Sequence, residues 1–146
     1  MAQVVFHLAF PVHDLEEARR FYVDGLGCTL GRASSTALTL QLKGHQIVAH
    51  LSKHPLEKQK GIYPRHFGLI FMSQEDWQGL VDQAKAKGLK FYQQPRRRFL
   101  GTRIEHATFL LEYPSRNLLE FKHYRYESAI FGEQHLSQVG DTGEEH

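Results

Sequence analysis

Apolar and polar residues alternate near the start of the chain and then give way to a helical pattern. Residues 4 to 12 alternate as in a half-buried strand. Helical spacing of apolar residues follows at Leu15, Ala18, Tyr22 and Leu26. Asp14 and Glu17 form a capping box, and Gly27 supplies a helix stop. This stretch is therefore predicted to be a strand followed by a capped amphipathic helix.

The same order of patterns occurs a second time, beginning at His66. Residues 66 to 72 have the strand pattern, and Ser73 with Asp76 forms a weaker capping pair. The predicted buried stripe of the second helix is Trp77, Leu80, Val81 and Ala84. Gly88 ends this helix. The chain is therefore predicted to contain an internal repeat, with His7 and His66 opening the two copies.

Strand-like segments separated by turn residues follow each helix. In the first copy they are residues 28–33, 36–42 and 45–51, with Lys43-Gly44 as a tight hairpin turn. In the second copy they are residues 90–93, 106–113 and 118–124, with residues 114–117 as the turn. Each copy is therefore predicted to be a βαβββ module.

The direction of side chains along these strands predicts a cluster of polar groups. His7 lies opposite the apolar face of the first strand, and His66 has the same parity in the second copy. On the last strand, Glu120 shares one face with Lys122 and Tyr124. His50 is the residue that we match to Glu120 in the first copy. The open face of the sheet is thus predicted to carry His7, His50, His66 and Glu120.

Two histidines and one carboxylate on one face suit a divalent metal and leave coordination positions open. The chain contains 10 histidines, so some coincidences are expected, and a single strand histidine is more often a satisfied core residue. The combination of His7, His66 and Glu120 favours a metal site, with His50 as a possible fourth ligand. The other histidines are interpreted as surface or structural residues: His13, His45, His54, His106, His123, His135 and His146.

Net charge gives no reason to expect a nucleic-acid partner. The 18 basic and 16 acidic residues leave a formal charge of +2. The only dense basic run is Arg96-Arg97-Arg98, after Pro95, and it predicts a solvated loop. The alternative for this run is an anion-binding loop at the mouth of a pocket, because arginine offers paired donors to carboxylate or phosphate.

Cysteine content and hydropathy predict a cytoplasmic protein that does not enter a membrane. The single cysteine, Cys28, excludes an internal disulfide and is expected to be a small buried side chain. No apolar run approaches the ~20 residues that span a bilayer. The N-terminus has no basic region followed by an apolar stretch and a cleavage site.

Three segments of the chain resemble the vicinal oxygen chelate superfamily, which includes glyoxalase I, extradiol dioxygenases, fosfomycin-resistance enzymes and bleomycin-binding proteins. FHLAFPVHDLEEARRFYVDGLGC is similar to the opening module, HFGLIF to the second ligand strand, and LLEYPSRNLLEFK to the closing hairpin. The resemblance places metal ligands at His7, His66 and Glu120. Glyoxalase I-like members use a fourth ligand, commonly glutamate, at the place that we match to His50. Family members often pair as homodimers, sometimes with modules exchanged between chains.

Together, the repeat and the resemblance predict a single α+β domain over residues 1–131. Module one covers about 4–52, a linker about 53–63, and module two about 64–126, while residues 132–146 are expected to form a flexible tail without assigned function. Two βαβββ modules should form a curved mixed sheet with a concave metal site and helices on the outer face. The linker is long enough for an intrachain or a module-swapped arrangement.

The resemblance implies a metal-dependent enzyme whose small substrate chelates a divalent ion through vicinal oxygens. Fe(II) is favoured, as in a dioxygenase, whereas Zn, Ni or Mn would suit an isomerase or a transferase. Alternatives are a metal-free small-molecule binding protein of the bleomycin-resistance type and a glyoxalase I-like lyase. Tyr124 is a candidate proton donor or a packing aromatic at the rim, Thr39 and Gln41 can orient substrate, and Arg98 can meet an anionic substrate group.

Overall fold

The computed structural model describes residues 4–140 and contains two modules with the same order of elements. The first module comprises β1 (His7–Val12), α1 (Leu15–Arg19) continued by a π-helical segment (Arg20–Gly25), β2 (Thr29–Ala33), β3 (Ala37–Leu42) and β4 (His45–Leu51). The second comprises β5 (Phe67–Ile70), α2 (Gln74–Ala86), β6 (Phe91–Arg98), β7 (His106–Glu112) and β8 (Leu118–Tyr124). A short 3₁₀ turn, Glu127–Ala129, follows. The predicted α+β class and the repeated βαβββ order are confirmed.

Each module forms its own four-stranded mixed sheet. The strand orders are β1-β4-β3-β2 and β5-β8-β7-β6, so each module pairs its first strand with its last. That pairing is parallel in both modules, while the remaining neighbours are antiparallel. The two modules are thus equivalent in topology as well as in element order.

One hydrophobic core joins the inner faces of both sheets and the two helices. The predicted stripe of α2 is buried in it, and the Trp77 indole donates a hydrogen bond of 2.9 Å to the carbonyl of Phe121. Phe10 of β1 contacts Phe67 of β5, with ring centroids 5.3 Å apart. The opposite faces of the two sheets carry the polar residues and turn away from this shared core.

Local signals in the sequence correspond to observed caps and turns. Asp14 Oδ1 accepts from the backbone N–H of Glu17, and Ser73 Oγ accepts from that of Asp76. Lys43 and Gly44 both have positive φ, at 51° and 90°, as a two-residue hairpin turn requires. These contacts explain why the elements begin and turn where the sequence predicts.

Cys28 is buried, as predicted. Only 5% of its surface is exposed. Burial raises the pKa of its thiol to about 12.

The prediction of a solvated loop at Arg96-Arg97-Arg98 is wrong. All three residues lie in β6 and pair with β7, where Arg98 is opposite His106. Pro95 does not end the strand, because β6 is an edge strand and its register shifts between Gln93 and Arg96. Arg98 is only 7% exposed.

None of the helices within residues 4–140 has the length and apolar character needed to cross a bilayer.

Candidate functional site

Two of the predicted ligands meet on the polar face of the second sheet. Glu120 lies in β8 and His66 immediately precedes β5, the strand that pairs with β8. His66 Nε2 lies 2.9 Å from Glu120 Oε1. Glu120 is 5% exposed, so its carboxylate is largely withdrawn from water. The structure therefore brings an imidazole and a carboxylate together at one point of the sheet.

Hydrogen bonds fix the orientation of both side chains. His66 Nδ1 lies 2.8 Å from the carbonyl oxygen of Ile62, which can only accept, so Nδ1 carries a proton. The Thr108 hydroxyl donates to Glu120 Oε2 over 2.6 Å. Nε2 of His66 and Oε1 of Glu120 are the atoms left to face each other.

The pKa values show which charges this arrangement favours. Burial alone would raise the pKa of Glu120, but the hydrogen bond from His66, the charge of Lys122 and the Thr108 bond lower it to about 2. The hydrogen bond to Glu120 raises the pKa of His66. Glu120 is thus a carboxylate, and its contact with His66 favours the protonated form of the imidazole.

Gly68 allows the close approach of β5 to Glu120. It is paired with Glu120 in the parallel ladder, and a Cβ at this position would overlap the carbonyl oxygen of Glu120. Only glycine fits here without movement of the backbone.

The strand registers correct the predicted equivalence of His50 and Glu120. His66 precedes Phe67, which pairs with Leu119, and Gly68 pairs with Glu120. In the first module Leu8, which follows His7, pairs with Ile47, so Val48 occupies the position of Glu120. His50 has the correct parity but lies two residues further along, at the position of Lys122. The predicted equivalence is wrong because parity cannot detect a shift of two residues.

His7 lies on the polar face of the first sheet, apart from His66 and Glu120. It is exposed, and its Nδ1 lies 2.7 Å from Oε1 of Gln46. Thr39 and Gln41 lie on the same sheet, along a shallow depression of about 300 Å³ that Gln46 also lines. Within residues 4–140, no three His, Cys, Asp or Glu side chains are grouped to hold a metal ion. The described chain thus carries the predicted ligands on two separate faces.

A cavity of about 350 Å³ lies over His66 and Glu120. Arg98, Lys122 and Tyr124 line it. Lys122 Nζ lies 3.8 Å from Glu120 Oε1 and donates to the Tyr124 hydroxyl over 3.3 Å. The cavity therefore combines an imidazole–carboxylate pair with cationic and phenolic groups.

The segment that follows the 3₁₀ turn forms one wall of this cavity. The predicted flexible tail begins at residue 132, but Glu133, Leu136 and Val139 line the cavity. Glu133 Oε2 accepts from Arg103 Nε over 3.3 Å and from the Ser128 hydroxyl. Residues 141–146 of the predicted tail lie outside the described residues.

His106 is a cavity residue that the sequence interpretation missed. It is 4% exposed, and its ring centroid lies 4.8 Å from that of Tyr124. Its parity in β7 matches that of Thr108, and its partner in β8 is Tyr124. Strand parity relative to Thr108 could have found it only if the pairing of β7 with β8 were already known.

A match to a known protein family identifies the scaffold. The family model of the Glyoxalase/Bleomycin resistance protein/Dioxygenase superfamily matches residues 4–121. The chain belongs to this superfamily. The two βαβββ modules are thus the scaffold of the glyoxalase/bleomycin resistance/dioxygenase superfamily, and a shared scaffold can host different chemistry.

Solved structures of the superfamily share this fold. A glyoxalase/bleomycin resistance protein/dioxygenase from Alicyclobacillus acidocaldarius is 44% identical, with 88% of this chain and 97% of that chain covered and a TM-score of 0.84. The genomically encoded fosfomycin resistance protein FosX from Listeria monocytogenes is 18% identical, with 88% and 99% covered and a TM-score of 0.67. At that identity the likeness shows the fold alone. No curated protein matches the chain.

Proposed function

We propose that this protein is a metal-dependent enzyme whose small substrate chelates a divalent ion through vicinal oxygens, with dioxygenase-like chemistry. The observation that carries the proposal is the geometry of His66 and Glu120. Each side chain is held by a hydrogen bond at one atom, to Ile62 and from Thr108, and directs its other ligand atom toward the same point. Metal-binding histidines and carboxylates are held in this manner by groups outside the coordination shell.

The donor set is chemically suited to a divalent metal. An ionised carboxylate and an imidazole nitrogen face each other across 2.9 Å. A divalent cation bound by both atoms would displace any proton that the pair holds, because metal ligands must be deprotonated. Imidazole and carboxylate suit Fe(II), Zn, Ni and Mn, and a set of two histidines and one carboxylate favours Fe(II).

The third ligand in this proposal is His7 of a second copy of the chain, in a homodimer. His7 is tethered through Nδ1 to Gln46, which leaves Nε2 as its ligand atom, in the same way that Ile62 tethers His66. His7 is exposed, and the neighbouring Val5 and Phe6 are 62% and 61% exposed. An exposed apolar patch beside an exposed candidate ligand is suited to association with a second copy.

The remaining cavity residues are suited to a small anionic substrate. Arg98 and Lys122 bring positive charge to the lining of the cavity, to which the C-terminal segment contributes apolar residues. Tyr124, whose hydroxyl accepts from Lys122, can in turn donate a hydrogen bond or a proton to a substrate oxygen. In the dimer, Thr39 and Gln41 of the second copy would face the same space and orient the substrate. A bound divalent metal supplies Lewis acidity and a template for two adjacent substrate oxygens.

Two other functions are less well supported. A glyoxalase I-like lyase would need a fourth ligand, but Val48 occupies the position equivalent to Glu120 and offers none. A metal-free binding protein of the bleomycin-resistance type has no need for the oriented pair of His66 and Glu120. The choice of a three-ligand, dioxygenase-like site rests on these two points.

Elemental analysis of protein purified without chelator tests the proposal. We expect about one divalent metal per chain, and oxygen consumption with some members of a catechol panel when iron is bound. His66→Ala should abolish metal binding, whereas His123→Ala, which removes a histidine facing the core side of β8, should not. Absence of any transition metal, with no uptake on titration, would contradict the metal site and favour the binding protein.

A further inference from the structure

A buried histidine in the cavity has a nitrogen without a hydrogen-bond partner. His106 Nδ1 lies 3.0 Å from the carbonyl oxygen of Ile104, which can only accept, so this nitrogen carries the proton. In the neutral ring His106 Nε2 is then the acceptor nitrogen. It is inaccessible to solvent and has no partner among the described residues.

The surroundings of His106 disfavour a positive charge on its ring and fix its position. Its ring packs between Phe99, at 5.8 Å, and Tyr124, at 4.8 Å. Arg98 pairs with it from β6, and Lys122 lies on β8, so cationic groups flank it on both neighbouring strands. A neutral ring beside two cations retains a lone pair for hydrogen bonding.

Leaving such an acceptor unsatisfied is unfavourable, and buried polar atoms are nearly always paired. An apolar ring would fill the space between Phe99 and Tyr124 equally well. The unsatisfied nitrogen thus destabilises the ligand-free fold. A ligand in the cavity that His106 lines can supply the missing hydrogen-bond donor.

We propose that His106 selects the ligand of this cavity by accepting a hydrogen bond at Nε2 from a hydroxyl group of a small carboxylate whose charge lies toward Arg98 and Lys122. The inference rests on the proposed function in placing the substrate in this cavity. It adds a requirement that the metal ligands do not impose, namely a hydroxyl donor on the substrate. His106 touches the ligand and distinguishes a hydroxyl from a group of similar size that cannot donate.

The test compares 2-, 3- and 4-hydroxybenzoate with their methyl ethers by NMR titration of wild type, His106→Phe, His106→Gln and His123→Phe. We expect wild type to bind at least one hydroxybenzoate about tenfold more tightly than its ether. His106→Phe should lose this preference while still binding the ether. His106→Gln, which keeps an acceptor, should retain part of the preference. His123→Phe is the matched control, because its Nδ1 is also tethered to a carbonyl, that of Phe71.

The inference would be overturned if wild type bound none of the probes. It would also be overturned if His106→Phe kept the preference for the hydroxybenzoate over its ether, which would indicate a bound water at Nε2. If His106→Phe does not fold, the ¹⁵N chemical shift of Nε2 in labelled wild type provides the test. Addition of the hydroxybenzoate should change this chemical shift, whereas addition of the ether should not. The converse result would overturn the inference. Metal content separates the two proposals. Metal without hydroxyl preference contradicts this inference alone, whereas preference without metal contradicts the proposed function alone.

Discussion

His66 Nε2 and Glu120 Oε1 face each other across 2.9 Å, and neither side chain is free to turn away. The carbonyl of Ile62 holds the imidazole, and the hydroxyl of Thr108 holds the carboxylate. Metal-binding imidazoles and carboxylates are characteristically oriented by such hydrogen bonds from groups outside the coordination shell. This arrangement is the reason for assigning the pair to metal binding.

The Thr108 hydroxyl should matter for metal affinity more than for the fold. Thr108→Val keeps the shape of the side chain and removes the bond to Glu120 Oε2. We expect metal affinity to fall about 10- to 100-fold, as is typical when a group that orients a ligand is lost. Isothermal titration with the metal found in the native protein measures the change. Thr36→Val, at the exposed turn before β3, is the control, and equal affinities of the two variants would contradict the role of Thr108.

The contact between β5 and β8 at Gly68 should not tolerate a side chain. In Gly68→Ala the added Cβ meets the backbone of Glu120, which cannot move as a flexible side chain can. We expect the free energy of unfolding to fall by about 3 kcal/mol, at the upper end of overpacking costs. Urea denaturation provides the measurement.

Gly79 offers a matched control for the same substitution. It lies in α2 with open space around the position of a Cβ. Gly79→Ala should raise the free energy of unfolding by about 0.8 kcal/mol, because alanine is the better helix former. A loss of stability at Gly79 as large as that at Gly68 would contradict the steric explanation.

Burial of His106 should make stability depend on pH. Burial lowers the pKa of His106 below its ordinary value of 6.5, and the charges of Lys122 and Arg98 lower it further. The hydrogen bond to Ile104 and the charge of Glu120 act in the opposite direction. The unfolded chain therefore binds this proton at higher pH than the folded chain does. The contribution of neutral His106 is fully present above pH 6.5 and declines as the pH falls below it.

Comparison with His106→Phe isolates this contribution, because every other titrating group remains in both proteins. Between about pH 7.5 and about pH 5, wild type should lose more unfolding free energy than the variant loses. Chemical denaturation at several pH values measures both slopes. Parallel slopes would show that His106 titrates alike in the folded and unfolded chain.

Cys28 should be inert in the folded protein. Only the thiolate reacts with disulfide reagents, and burial raises the pKa of this thiol to about 12. We expect reaction with a chromogenic disulfide to be slow in native buffer and rapid in denaturant. Fast labelling of the native protein would contradict the burial of Cys28.

Local signals in the sequence are sufficient to predict the two βαβββ modules and half of the candidate site. Capping at Asp14 and Ser73 depends on residues three positions apart, and side-chain parity placed Glu120 on the same face as Tyr124. These features need no knowledge of which strands pair. The family resemblance added the scaffold, which the match over residues 4–121 confirms.

Features that depend on strand pairing cannot be predicted from local sequence patterns. His50 has the parity of a ligand, but the register of β1 with β4 places Val48 opposite the position of Glu120. The basic run ending at Arg98 looked like a loop because its pairing with His106 is long-range. The sequence alone indicates a surface or structural role for His106, since only the ladder of β7 with β8 places it beside Tyr124.

Metal content of mixed dimers tests the central claim most directly. His7→Ala and Glu120→Gln should each bind little metal alone, because each variant lacks a ligand in every site. When the two variants are unfolded together and refolded, mixed dimers regain one intact site, so metal should recover to about a quarter of the wild-type value for random pairing. No recovery, or a full complement of metal in His7→Ala alone, would contradict a site built from His66 and Glu120 of one chain and His7 of another.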